Sequence, residues 1–240
     1  MGNEVEVLTQ IPVDLDRDSL FRRCHIKAES EYAGQFEVIL EEARHVARPK
    51  AVYREAFIDS KGEETVTIDG VTFVSRTLRS ILEKVERVFP YVATCGIELD
   101  QIKLPGDDLL KQFWLDEIKA TILDSCRANL NNYLDNRYAL GKTASMSPGS
   151  GDVNVWPIEQ QRELFSLFGD VNKLIGVKLT DSYLMVPNKT VSGLRFPTEV
   201  NFRSCMLCHR ENCPGRSAPF HKEMWDSIQR DSGVQSTKTA

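Results

Sequence analysis

The sequence predicts an α+β fold, and three observations carry the prediction. Thr65–Ile68 and Val71–Phe73 are rich in β-formers and flank Asp69-Gly70. That pair favours a tight type I′ hairpin turn, in which both central residues take positive φ. Leu110, Trp114, Ile118, Ile122, Cys126, Leu130 and Leu134 recur every four residues, marking the buried stripe of a helix roughly 40 Å long. Elsewhere helices and strands follow one another without a regular βαβ rhythm, which leaves α+β as the class.

The remaining elements follow in order. Asp14 to Ile26 reads as a lead-in with a short helix carrying Cys24 and His25. Ser30 caps a helix with Tyr32, Phe36, Leu40 and Ala43 along one side, ending before Pro49. Ala51 to Ile58 reads as a strand that turns at Lys61-Gly62. Leu78, Ile81, Leu82, Val85, Val88 and Phe89 fall at helical spacing up to Pro90, and Tyr91 to Gly96 reads as a short buried strand. Asp107 and Asp108 start the long helix, where acidic side chains suit the dipole. Gly141 to Gly151 reads as a small-residue loop. Pro157 suits a helix start and Gly169 its stop, with Leu164, Phe165 and Phe168 on one face. Val177, Leu179, Tyr183 and Met185 alternate as a strand up to Pro187, and a last helix runs from His221 to Ile228. The polar stretch 229–240 is expected to be disordered.

At 240 residues the chain can bury a substantial core. Hydrophobic residues make up 41% and charged residues 27%, the balance of a globular protein. A formal net charge of -5 argues against a general nucleic-acid binder. No apolar run reaches the roughly 18 residues of a membrane span. Met1 to Glu6 lacks a basic segment followed by an apolar one, and Glu6 departs from a myristoylation motif, so a cytoplasmic protein is expected. Six cysteines there are expected as free thiols or metal ligands.

The pattern Cys205-x2-Cys208-x4-Cys213 followed by Pro214 is the least accidental feature of the chain. Thiolates are soft ligands, and three within nine residues suit an iron–sulfur centre first and zinc second. Cys24, Cys95, Cys126 and His209 are the candidates for a fourth ligand, although Cys126 lies on the apolar helix stripe and reads better as a small buried hydrophobe. His25, His45, His209 and His221 form no helical metal pair. No nucleophile elbow, P-loop or dinucleotide fingerprint is present. Ser147-Pro148-Gly149-Ser150-Gly151 could offer backbone N–H groups to an anion, or serve as a plain loop.

A set of segments taken together resembles the activation-domain family of cobalamin-dependent methionine synthase, in its stand-alone form. The segments are Ala93 to Glu98, the long helix around Asp116, Ser147-Pro148-Gly149, Trp156-Pro157 with Gln160, and Leu179-Thr180 with Ser182. Met185 with Pro187, Lys189 to Gly193 and the cysteine ending complete it, over about Val38 to Arg216. The resemblance implies a twisted antiparallel sheet flanked by helices, with a Cys-rich C-terminal extension. It divides the chain into an activation-domain-like domain at 1–200 with a lead-in at 1–30, a metal-binding segment at 201–228 and a tail at 229–240. It further implies S-adenosylmethionine held by Ser147, Pro148, Gly149, Ser150, Lys189, Val191, Ser192 and Gly193. The function implied is reductive remethylation of cobalamin carried by a partner corrinoid methyltransferase protein, with an electron donor protein and neither nucleic acid nor membrane. Cys205, Cys208 and Cys213 would then hold an iron–sulfur electron relay. The alternative is a non-catalytic docking module with structural zinc. The chain departs from the family loop Arg-x-x-Pro-Gly-Tyr at Ser145 and Ser150, and the family's acidic residue on the long helix falls near Ala120, with Glu117 and Asp124 one turn away.

Overall fold

The computed structural model describes residues 4–151, 155–213 and 216–230. In chain order the first half contains β1 (Glu6–Leu8), α1 (Arg17–Arg23), α2 (Glu31–Val46), β2 (Lys50–Tyr53), β3 (Ala56–Lys61), β4 (Thr65–Ile68), β5 (Val71–Val74), α3 (Arg76–Ile81) and β6 (Arg87–Thr94). The second half contains α4 (Leu109–Tyr138), β7 (Thr143–Met146), α5 (Gln161–Ser166), α6 (Val171–Ile175), β8 (Lys178–Leu179), β9 (Met185–Val186), β10 (Thr190–Pro197) and α7 (Lys222–Arg230). The class is α+β, and every strand pair among the described residues is antiparallel.

β6 is the hub of the main sheet. β2 and β3 lie end to end along one edge, while β10 pairs the other through Thr190↔Thr94 to Arg195↔Phe89 and carries β7 outside it. β1 extends the β2 side, and β4 and β5 continue from β3. The Asp69-Gly70 turn forms as expected, with φ of 45° and 80°.

One face of the sheet is covered by α4. Tyr53, Phe89, Tyr91 and Ala93 meet its Cys126, Leu130 and Leu134. The other face meets α3, α5 and α6 through Leu78, Leu164, Phe165, Val171 and Ile175. Phe202, Leu207 and Ile228 join that same core, so the cysteine-bearing segment packs directly on the sheet layer. The N-terminal half of α4 packs with α1 and α2 around Leu20, Phe36, Leu40 and Trp114.

Five local expectations are corrected. α1 ends at Arg23, so Cys24 and His25 follow it rather than ride on it. α3 stops at Ile81, and Val88, Phe89 and Pro90 belong to β6 instead. Proline is tolerated in this central strand because its missing N–H falls at the break between β2 and β3, where the Pro90 carbonyl accepts from Arg54 N at 3.2 Å. The loop from Gly141 to Gly151 contains β7. The stretch from Val177 to Met185 is a two-stranded ribbon of β8 and β9, turned back at Tyr183, whose φ is 62°. α7 runs to Arg230, past the expected tail start, and residues 231–240 lie outside the described ones.

Candidate functional site

β7 delivers Ser147-Pro148-Gly149-Ser150 beside β10. The strands pair Leu194↔Met146 and Arg195↔Ser145, which brings Gly193 against the start of the loop. A Cβ at Gly193 would lie 2.7 Å from Ser147 Oγ and nearer still to the Met146 carbonyl, so only glycine lets the two segments touch. Gly149 N donates to the Trp156 carbonyl at 2.8 Å, and Ser150 N to Ser147 O at 3.1 Å. Gly149 takes φ 72° with its Cα packed on Ile158. Pro148 is buried, while Gly149 and Ser150 are exposed.

Four of the expected ligand-holding residues, Ser147, Pro148, Gly149 and Gly193, thus share one place. Val191 lies two residues from Gly193 on the same strand face, toward α4. Ser192 points the other way and donates to Gln161 Oε1 at 2.8 Å. Lys189 precedes the strand and pairs with Asp116 of α4 at 2.8 Å. The helix acids are spoken for differently. Glu117 pairs with Arg23 at 2.8 Å, on the side toward α1, and Asp124 pairs with Arg127 at 3.5 Å. Trp156 is fully buried, edge-on to Phe73 at 5.6 Å, so it packs in the core.

Sequence reasoning missed three residues here. Tyr91, Arg195 and Asp135 converge under the loop between α4 and β7. Arg195 Nη2 donates to Asp135 Oδ1 and Oδ2 at 2.8 and 2.9 Å and to Thr143 Oγ1 at 2.7 Å. The Tyr91 phenol is pushed up by burial, while Arg127, hydrogen bonds with Ser147 and Ser145, and Arg195 act the other way. The available signal was the period of two in β10, which sets Val191, Gly193 and Arg195 on one face and Ser192, Leu194 and Phe196 on the other.

The cysteine segment borders this site. Ser204 Oγ donates to the Ser145 carbonyl at 3.1 Å, and a Cβ at Gly151 would lie 3.6 Å from Cys208 Cβ. Arg216 ties the segment together by donating to the carbonyls of Cys205, Cys208, Arg210 and Ala218. All six cysteines are free thiols. Cys205 Sγ accepts from Ser217 Oγ at 3.4 Å and Ser217 N at 3.5 Å, which lowers its pKa. Among the described residues no three His, Cys, Asp or Glu side chains come together to hold a metal ion, so Cys205, Cys208 and Cys213 are not gathered into the expected metal site. His209 stacks on Phe220 and Trp225 at 4.3 and 4.6 Å. No helix among the described residues is long and apolar enough to cross a membrane.

No protein-family model matches this chain, and no curated protein matches it. Solved structures do match, among them the crystal structure of the MetH reactivation domain bound to AdoHcy. The TM-score is 0.51 at 12% identity, covering 84% of this chain and 81% of that one. The fold is that of the MetH reactivation domain. On this reactivation-domain fold, the β7–β10 loop region offers neutral hydroxyls, exposed backbone at Gly149 and Ser150, and a buried cation. Such a set suits a polar ligand carrying a negative group.

Proposed function

We propose that this chain remethylates cobalamin held by a partner corrinoid methyltransferase protein. In this reading S-adenosylmethionine lies along β10 with its polar end at Ser147 to Ser150. The chain then presents the sulfonium methyl to the partner's cobalt. The observation that carries the reading is the glycine-limited contact of Gly193 with Ser147, which fuses the two expected binding segments into one site. Support also comes from the reactivation-domain neighbour, whose structure contains AdoHcy.

One electron from a separate donor protein takes Co(II) to Co(I), and Co(I) receives the methyl cation, leaving methyl-Co(III) and AdoHcy. No step is routed through an iron–sulfur centre or zinc, because the three C-terminal thiols are not gathered to hold one among the described residues. The chain's own part is to bind the sulfonium ligand, orient its methyl and shield the transfer from water.

The test uses S-adenosylmethionine labelled in its methyl group, a corrinoid protein loaded with cob(II)alamin, and a low-potential reductant, under anaerobic conditions. The reading expects label on cobalamin, and a methylcobalamin spectrum, only when this chain is present. Bound S-adenosylmethionine without label transfer would leave a docking role and contradict reactivation.

A further inference from the structure

We infer that Arg195 anchors the carboxylate of the ligand's amino-acid end. This rests on the reading of the β7–β10 site as one for an S-adenosyl ligand. Arg195 is only 5% exposed, and a guanidinium is almost never buried without full pairing. It carries five N–H donors. Nη2 serves Asp135 and Thr143, yet Nε and Nη1 are buried with no partner. Unsatisfied charged donors are costly, so a buried site of this kind is built for an acceptor that arrives.

The surroundings add further donors. Tyr91 faces Ser145 and Ser147, and burial keeps its phenol protonated and able to donate. Arg127 stands two turns before Asp135 on α4 and acts on the same phenol, with Asn131 between them on that stripe. Arg127 pairs with Asp124 at 3.5 Å and Arg195 with Asp135 at 2.8 Å, so the cluster is balanced in charge, and what it holds in excess is donors, Nε and Nη1 of Arg195. Ser145, Ser147, Asp135 and Arg127 are partly exposed or exposed, so the rim of the cluster reaches solvent while Arg195 Nε and Nη1 lie beneath it. The Ser147 to Ser150 turn, closed by Ser150 N donating to the Ser147 carbonyl, follows Ser145 in the chain. An S-adenosyl ligand has one anionic group, its carboxylate, and a charge-assisted pair with a guanidinium is the strongest contact this cluster can make.

The test compares AdoHcy with 5′-methylthioadenosine, which keeps the nucleoside sulfide and lacks the amino-acid group. The wild type is expected to bind AdoHcy more tightly. Arg195→Gln is expected to weaken AdoHcy by about 10- to 100-fold and leave 5′-methylthioadenosine unchanged. Ser145 is the cross-strand partner of Arg195, so Ser145→Arg in the Arg195→Gln background can place a guanidinium in the same space and is expected to recover most of the loss. Should Arg195→Gln fail to fold, Arg195→Lys keeps the charge without the fork and is expected to lose AdoHcy affinity alone. Equal losses for both probes, or none, would overturn the inference while sparing the S-adenosyl site. Equal binding of both probes by the wild type would do the same. A wild type that binds neither probe overturns the site reading, and the inference with it.

Discussion

Gly193 stands so close to Ser147 that a Cβ would lie 2.7 Å from its Oγ, with the Met146 carbonyl nearer still. The β10 strand and the β7 loop therefore cannot take a methyl group in place of the glycine hydrogen without moving apart. Gly193→Ala is expected to cost about 1–3 kcal/mol by forcing that shift. It should abolish AdoHcy binding as well. Gly34 is the internal control. It sits exposed inside α2 with nothing within 4 Å of an added Cβ, so Gly34→Ala should stabilise by about 0.5–1 kcal/mol. Urea unfolding of both variants checks the opposite signs.

Trp156 is a packing residue in this account. It is fully buried against Phe73, and its Nε1 donates to Gln160 Oε1 at 3.2 Å. Trp156→Ala should cost about 3–5 kcal/mol. Trp156→Phe should cost far less and leave AdoHcy affinity unchanged. A lowered affinity at unchanged stability would put the indole in the groove instead.

Two thiols under the sheet give the protein an alkaline limit. Burial pushes Cys95 and Cys126 up to about 12 each. An unfolded thiol titrates near 8.5, so between these values the folded state holds protons that the unfolded state has released. Stability from these groups is therefore present below about pH 8.5 and falls as pH rises toward 12. Cys126→Ala should flatten the decline in unfolding free energy measured from pH 8 to 11. An unchanged slope would show that Cys126 does not drive it.

Cys205 behaves oppositely. The Ser217 hydroxyl and amide donate to its sulfur, and Arg216 adds positive charge, all favouring thiolate. At a given pH its thiolate fraction exceeds that of an ordinary cysteine, and far exceeds that of Cys24, which burial pushes up to about 11. Limited alkylation near neutral pH, read by peptide mass, should label Cys205 before Cys24, Cys95 and Cys126. Ser217→Ala should slow that labelling.

How much of this was legible depends on how each residue is buried. The α4 stripe was plain because one face of a long helix is buried throughout, against α1 and α2 at Trp114 to Ile122 and against the sheet at Cys126 to Leu134, so the period stays strict. Asp69-Gly70 was plain because turn chemistry is local. β10 was not, since a strand buried on both sides shows no alternation, and Thr190, Ser192, Gly193 and Arg195 interrupt its apolar run. Arg195 was lost with it, although Ser147 and Gly149 were singled out one strand away. Pro90 misled for a related reason: its cost depends on where β2 ends, which only the fold reveals. The cysteine spacing suggested a metal centre; spacing alone does not reveal that Arg216 holds the segment through backbone carbonyls and that Ser217 donates to the Cys205 sulfur.

The most direct test is calorimetric titration of the anaerobically purified protein with S-adenosylmethionine, beside the Gly149→Val variant. Gly149 holds φ 72° and an added Cβ would lie 2.9 Å from the Ile158 side chain, so a branched side chain there must displace the loop. The account predicts micromolar binding by the wild type and a strong loss in the variant. A folded wild type that gives no heat with S-adenosylmethionine, or a variant that binds it equally well, would contradict the assignment of the β7–β10 loop as the ligand site.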